Sequence, residues 1–424
     1  MIIIDNVNES QRKSMHLIVY ESNFALIQEK RELSAGNSEW ITLADLPPTI
    51  DELSLRMTGV RLKEWKFLQS RGINKETILN ALIGEIILFT LTGEKKKRYR
   101  LIASTPDLII EDLETKEVLL NPSGELAVIQ VPDDVSTKPI ITLRIDHTTH
   151  HEEIMLNYLI DHISWSANYK AVLQNGSMII LGSIVLKNHT GQNFTSVSLQ
   201  AMAGETNRMI SQKVHEPSMM MLQESSANDP ITEEGKGDLH LYTIPFLLNL
   251  PDRQSTIIPF VQTETAYRLF YAVNATDDHP STVIEWNHTS DIPLSKGKIT
   301  FYYGSEKREY FAGEDMLSFT PKGKDVQSVL GRAVDLNSEH QLIRSYLSGE
   351  DTVEDHVYKI TSTKDTEAEI VISHFIYAKI WELVDTSADI LLKTANELQL
   401  VTVVKPGETK IVTFSIKIKK QKRG

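Results

Sequence analysis

The densest group of chemically competent side chains in the sequence lies between residues 146 and 153. It comprises three imidazoles and three carboxylates: Asp146, His147, His150, His151, Glu152 and Glu153. Imidazole nitrogens and carboxylate oxygens are ligands for zinc and nickel, and on a helix the three histidines would share one face. The group therefore suggests a metal site, and a metal-dependent hydrolase is one hypothesis for this protein.

The segments on either side of this group have the pattern of strands rather than of a helix. Ile140–Ile145 precedes the group and Ile154–Tyr158 follows it. A loop between two paired strands is a hairpin tip, where histidines and acids are commonly solvated. We therefore favour a solvated hairpin tip over a metal site, and we expect no cofactor.

The common signatures of catalytic sites are absent from the sequence. There is no G-x-S-x-G nucleophile elbow, no G-x-x-x-x-G-K-[ST] phosphate loop, no G-x-G-x-x-G and no H-E-x-x-H. The chain also has no cysteine, which excludes disulfides, thiolate catalysis and Cys-ligated metal centres. The sequence does not decide whether the protein is an enzyme, but it favours a protein without enzymatic activity.

Charge and hydropathy narrow the classes of partner. The 424 residues carry a formal net charge of −13, which disfavours non-specific binding to nucleic acid because phosphate is repelled. The basic stretches Lys95–Arg98 and Lys417–Arg423 fit a charged hairpin edge and a solvated terminus. No membrane span and no signal peptide is visible. We expect a cytoplasmic protein, or an envelope protein if the N-terminus was trimmed.

Short alternating runs of β-branched residues, separated by turn residues, predict an all-β fold. Asn175-Gly176 lies between Ala171–Gln174 and Met178–Leu186, and it favours a two-residue hairpin turn because both residues tolerate positive φ. Turns at this density are typical of sandwiches and small barrels. We predict consecutive immunoglobulin-like β-sandwich modules.

One short helix is predicted in the N-terminal part of the chain. Asn74 is a favourable N-cap and Gly84 a favourable end, and between them lies the apolar stripe Ile78, Leu79, Leu82 and Ile83. The helix leads into the predicted strand Ile86–Leu91. A helix beside several strands predicts a small barrel at about residues 60–122.

Residues 205–238 lack any hydrophobic periodicity and predict a mobile linker. The segment contains three consecutive methionines, Met219–Met221, and the acidic run Glu224–Gly237. Methionine-rich surfaces can bind partners adaptably. We favour local packing of these methionines over a sheet, and ordering of the linker on binding stays open.

Several short motifs occur in an order and spacing that resemble one bacterial family. Tyr158, Trp165 and Tyr169 fit a pattern of Tyr, then Ser-Trp, then Tyr. The other motif residues lie further along the chain: Gly191, Gly204, Pro245, Pro321, Gly323 and Asp335. Over most of its length the chain is similar to the domain-of-unknown-function 4139 family, also called mucoidy-inhibitor-A-like.

The resemblance implies architecture rather than chemistry. The family is expected to be β-rich, and it has no established enzymatic activity to carry over. The resemblance implies that Trp165 and Tyr169 fill a core, that the three glycines serve turns, and that the two prolines punctuate strands. None of the shared residues is expected to be catalytic.

We predict three modules: residues 1–150 with the small barrel, 151–290 as a sandwich interrupted by the linker, and 291–424 ending in an immunoglobulin-like sandwich. The favoured function is a non-enzymatic interaction or scaffold protein, whose sheet edges bind a protein partner by main-chain pairing. A carbohydrate- or envelope-binding protein is the alternative, because exposed aromatic residues can stack on sugars. The metal-dependent hydrolase is the second alternative, and the sequence does not predict the oligomeric state.

Overall fold

The computed structural model describes residues 4–33, 39–69, 74–129, 138–146, 153–204, 206, 208, 231–237, 239–305 and 308–420. Contacts group the chain into two compact units. Unit 1 comprises Met1–Trp165 with Leu186–Thr256, and unit 2 comprises Ser166–Val185 with Ile257–Gly424. The predicted division into three modules stays a prediction.

The described residues are almost entirely β-structure, which confirms the all-β prediction. The one α-helix among them, α1, spans Lys75–Ala81, and two short 3₁₀ helices span Glu9–Gln11 and Glu52–Ser54. Within this part of the chain no helix has the length and hydropathy that crossing a bilayer requires.

The strands alternate buried and exposed residues over most of their length, as faces packed on a core require. The first fifteen described strands are β1 Ile4–Val7, β2 Arg12–Tyr20, β3 Phe24–Glu32, β4 Trp40–Leu43, β5 Arg56–Thr58, β6 Leu62–Leu68, β7 Ile86–Leu91, β8 Lys97–Ala103, β9 Ile109–Asp112, β10 Val118–Leu120, β11 Gly124–Ala127, β12 Ile140–Ile145, β13 Glu153–Asp161, β14 Ile163–Gln174 and β15 Ser177–Asn188. The remaining described strands are β16 Phe194–Ala203, β17 Thr232–Lys236, β18 Leu239–Leu250, β19 Gln254–Asn274, β20 Ser281–Asn287, β21 Gly297–Ser305, β22 Arg308–Leu317, β23 Asp325–Arg332, β24 Leu336–Ser348, β25 Asp351–Ser362, β26 Ala368–Phe375, β27 Trp381–Thr386, β28 Asp389–Lys393, β29 Glu397–Val404 and β30 Thr409–Ile418.

Three sheets are built from strands of unit 1. Their strand orders are β1-β4-β12-β6, β17-β18-β16-β2-β3-β13-β5 and β10-β9-β8-β7-β11. Strand β12 therefore pairs with β4 and β6, whereas β13 pairs with β3 and β5. The predicted hairpin across residues 146–153 is wrong, because its flanking strands belong to different sheets. Their apolar patterns identified both strands but carried no information on their partners.

The predicted helix forms and packs on the five-stranded sheet. The Asn74 side chain accepts a hydrogen bond from the backbone N–H of Thr77 at 2.9 Å, which caps the first turn. Leu79 and Leu82 are buried against a core supplied by the strands, which includes Phe89 and Tyr99. A left-handed residue follows the helix at Gly84, whose φ is +93°.

The end of the predicted linker is a strand instead. Strand β17 pairs antiparallel with β18 in the seven-stranded sheet. Its sequence Thr-Glu-Glu-Gly-Lys has no apolar alternation, and its place is set by main-chain hydrogen bonds to a neighbouring strand. The linker prediction is therefore wrong for residues 232–236, while residues 205, 207, 209–230 and 238 lie outside the described part of the chain.

Unit 2 holds a β-sandwich near its C-terminus. One layer is the four-stranded sheet β24-β25-β30-β27, and the other belongs to a larger sheet in which β19, β26, β29 and β28 are successive neighbours. Apolar residues of both layers share one core, among them Tyr358, Phe414, Ile372 and Leu400. This sandwich positions the candidate site.

Candidate metal centre

Three histidines from three strands converge in the C-terminal sandwich. His340 lies on β24, His356 on β25 and His374 on β26. One ring nitrogen of each lies within 4.8 Å of the others. Among the residues that the structure describes, this is the group of histidine and acidic side chains with the geometry to hold a metal ion. We call it the three-histidine site.

Strand register explains why the first two rings meet. His340 is paired with Tyr358, and His356 is paired with Leu342, so the two histidines are diagonal neighbours on adjacent strands. Side chains alternate between the faces of a strand, so His356 and Tyr358, two residues apart, share the inward face of β25. His374 enters from the opposite layer, on a strand whose residues Ile370 and Ile372 are fully buried.

The rings are in direct contact. Nε2 of His340 lies 3.1 Å from Nδ1 of His356, and the two rings stack with centroids 5.3 Å apart. The His374 ring centroid lies 4.5 Å from that of His356 and 5.3 Å from that of His340. The three imidazoles thus surround one small volume between the two layers.

Two further side chains hold the rings from behind. The Tyr358 hydroxyl is hydrogen-bonded to Nδ1 of His374 at 2.9 Å, which leaves the other ring nitrogen of His374 for a ligand. The Glu354 carboxylate lies 3.5 Å from Nε2 of His356, on the opposite side of that ring from His340. Outer partners of this kind fix the orientation and tautomer of metal-binding histidines.

Burial keeps all three imidazoles neutral at neutral pH. Burial, followed by the neighbouring His356 and His340, lowers the pKa of His374 to about 3. Burial is also the largest cause of the lowered pKa of His356 and of His340. A neutral imidazole has a free lone pair on one nitrogen, and this is the form that coordinates metal ions.

The aromatic ring of Phe414 packs against two of the imidazole rings. Phe414 stacks on His356 with ring centroids 5.0 Å apart and meets His374 edge-on, also at 5.0 Å. Nε2 of His356 is buried, and the side chain beside it is the Glu354 carboxylate at 3.5 Å. The nitrogen of His356 that faces His340 is therefore Nδ1.

The histidines singled out in the sequence lie elsewhere. His147, His150 and His151 are outside the described residues, so the structure does not test them. The three histidines of the site escaped sequence analysis because 16 and 18 residues separate them along the chain. The available signal was a histidine at an inward position of an apolar strand, as His356 is in β25 and His374 in β26. That signal does not identify which strands will face each other.

The aromatic residues of the family-like motif are buried. The Trp165 indole donates a hydrogen bond to the Met202 carbonyl at 2.8 Å, and the Tyr169 hydroxyl donates one to the Ser295 carbonyl at 2.8 Å. Tyr158 is fully buried, and its hydroxyl donates to the Glu29 carboxylate at 3.1 Å. These contacts place the three rings in the core, as the resemblance implied for Trp165 and Tyr169.

The glycines of the motif have backbone conformations that favour glycine. Gly191, Gly204 and Gly323 have φ of +78°, +116° and +80°. Each therefore provides a left-handed position that a residue with a Cβ adopts at a cost.

The remaining motif residues are backbone and turn positions. Pro245 lies within β18, where the pairing register with β16 shifts, so it does not end the strand. The Pro321 carbonyl accepts from Lys324 N at 3.3 Å in a turn, and the Asp335 carbonyl accepts from Thr363 N at 2.9 Å.

Comparison with known proteins assigns no family to the chain. A scan against protein-family models gives no match, and a search of the curated proteins gives none either. The resemblance to the domain-of-unknown-function 4139 family therefore stays a prediction.

Proposed function

We propose that the protein binds one divalent transition-metal ion at the three-histidine site. The observation that supports this most directly is the convergence of three neutral imidazoles, from three strands, on one interior volume. Three protein ligands of this type are a common zinc-binding set. The proposed metal site therefore lies in the C-terminal sandwich and not at residues 146–153.

The observed spacing suits an ion without large rearrangement. Zinc binds imidazole nitrogen at about 2.0–2.1 Å in tetrahedral geometry, which puts two ligand nitrogens about 3.4 Å apart. The facing nitrogens of His340 and His356 are 3.1 Å apart, close to that separation. A small outward rotation of the half-buried His340 ring supplies the remaining distance.

The ligand chemistry selects the kind of ion. Imidazole suits zinc, nickel and copper, whereas magnesium and calcium require oxygen ligands. The three ligand atoms at this site are nitrogens, and the Glu354 carboxylate lies behind His356. We therefore expect zinc to bind and calcium and magnesium not to compete.

Calorimetric titration with zinc tests the proposal. Removing one of three ligands should weaken binding more than the roughly 10–100-fold loss that follows removal of an outer partner. His340→Ala is the informative substitution, because His340 is half-buried on an edge strand and the fold should tolerate it. The matched control is the triple substitution of His147, His150 and His151 by alanine, called here the loop control variant.

The two variants separate the two histidine groups. We expect one zinc ion per chain in the wild type and in the loop control variant, with binding lost in His340→Ala. Unchanged zinc affinity in His340→Ala, or loss of binding in the loop control variant only, would disprove the proposal.

Partner and location remain predictions from the sequence. A protein partner bound at a sheet edge is tested by affinity purification of a tagged chain from its native host, where a stoichiometric companion supports it. Carbohydrate binding is tested on a glycan array, and an array without signal removes it. A cytoplasmic location is likewise a prediction, which fractionation of the native host would test.

A further inference from the structure

The three-histidine site provides three ligands and an approach from one side. Among the histidine, aspartate and glutamate side chains of the described residues, three histidine nitrogens come within 4.8 Å of one another at this place. A structural zinc site closes with four protein ligands, whereas a site with three keeps one position for an external ligand. The ligand count therefore bears on what the bound ion can do.

Neighbouring side chains do not fill a fourth position. The Tyr358 hydroxyl is engaged with Nδ1 of His374. Glu354 approaches Nε2 of His356, whereas Nδ1 of that ring faces His340. The two nitrogens of an imidazole point in divergent directions, so a carboxylate behind one nitrogen is not positioned to bind an ion at the other. Phe414 contributes only its apolar ring.

The open side lies along the edge of the sandwich. Strand β24 is the outer strand of its sheet, and His340 is only partly buried, while His356 and His374 are 6% and 7% exposed. Beyond His340 the strand leaves the core, and Leu342 is 49% exposed. His340 is therefore the most exposed of the three rings, and it marks the side from which a small molecule would reach the space between them.

Charge defines which small molecule fits. Three neutral imidazoles leave the two positive charges of the ion unbalanced, since the described ligand set contains no carboxylate and Glu354 lies behind His356. Bound cations are the largest local charges in such sites and attract anions directly. We infer that the ion holds one exchangeable position at which a small monodentate anion replaces water. This inference rests on the proposed metal binding and deepens it.

Cobalt(II) provides a direct readout of this position. The loop control variant is loaded with one equivalent of cobalt and titrated with azide while the visible absorption is recorded. We expect the cobalt bands to change and to saturate at one azide per bound cobalt. If cobalt does not bind at all, the proposed function fails; if cobalt binds and azide leaves its spectrum unchanged, only the open position is disproved.

Glu354→Gln distinguishes an open position from one filled by the carboxylate. Because Glu354 lies behind His356, azide should perturb the cobalt spectrum of the loop control variant. It should do so equally when that variant also carries Glu354→Gln. A response that appears only in Glu354→Gln would show that the carboxylate is the fourth ligand, and it would overturn the inference.

Discussion

The hydroxyl of Tyr358 and Nδ1 of His374 are hydrogen-bonded at 2.9 Å across the two layers of the C-terminal sandwich. Tyr358 belongs to β25 and His374 to β26, so this bond joins the sheet that carries two of the histidines to the sheet that carries the third. It also leaves Nε2 as the nitrogen of His374 that is available to an ion. The relationship makes Tyr358 a positioning residue for the proposed ion.

Replacing Tyr358 by phenylalanine should weaken zinc binding without removing it. The ring packing stays, but His374 loses the bond that orients it, and loss of an outer partner typically costs about 10–100-fold in affinity. Calorimetric titration with zinc measures the change. Tyr169→Phe is the matched control, because that buried hydroxyl bonds to the Ser295 carbonyl away from the site. Equal zinc affinities in the two variants would refute the role of Tyr358.

Zinc should also raise the resistance of the protein to heat. A ligand that binds only the folded chain stabilises it by about 2.7 kcal/mol at a free concentration 100 times the dissociation constant. Thermal unfolding with and without zinc measures this, and magnesium at the same concentration is the control. An equal shift with both ions, or a zinc-induced shift that survives in His340→Ala, would contradict specific binding by imidazoles.

A buried ion pair in unit 1 gives a prediction about stability. The Arg31 guanidinium lies 2.9 Å from the Glu29 carboxylate, and both side chains are almost fully buried. Arg31→Leu should destabilise the protein by about 3–5 kcal/mol, because it leaves a buried carboxylate without its counter-ion. Urea unfolding measures the loss. Lys13→Leu is the control, since the Lys13–Glu32 pair is half-exposed and its removal should change little.

The double substitution of Glu29 and Arg31 by leucine sharpens that test. Removing both charges takes away the uncompensated carboxylate, so the double variant should recover part of the stability lost in Arg31→Leu. A double variant that is less stable than Arg31→Leu would show that the cost has another origin.

His16 should make stability depend on pH near neutrality. Burial is the largest cause of its lowered pKa, and its ring contacts the neutral side chains of Ser198 and Gln200. The folded pKa therefore lies below the unfolded value of 6.5. As the pH falls below that value, the unfolded chain takes up a proton that the folded chain does not, so stability is present above it and lost below it.

Urea unfolding of the wild type and of His16→Gln between pH 8 and pH 5 tests this sign. Glutamine is polar but does not titrate in this range, so His16→Gln should lose less stability on acidification than the wild type. Parallel pH curves for the two proteins would mean that His16 does not contribute.

Local patterns in the sequence were sufficient for much of the fold. Asn175 and Gly176 have φ of 45° and 87°, as the two-residue hairpin turn requires, and strands β14 and β15 end and begin on either side of them. The cap at Asn74 and the buried Leu79 of α1 also follow from local spacing. Such features depend on residues that are near each other in the chain.

Which strands lie next to each other depends on long-range pairing, and local sequence patterns did not predict it. Strands β12 and β13 are consecutive in sequence yet lie in different sheets, and β17 owes its place to hydrogen bonds with β18. The candidate site is the clearest case, because its histidines come from two strands of one sheet and one strand of the opposite layer. Each strand was recognisable alone, whereas the meeting of the three rings depends on register and on the stacking of the layers.

The most direct test is anomalous diffraction at the zinc absorption edge from crystals of the zinc-loaded protein. The account predicts one zinc peak between His340, His356 and His374, about 2.0–2.1 Å from one nitrogen of each ring. A zinc peak at His147, His150 and His151, or three rings in mutual contact with no peak between them, would contradict it.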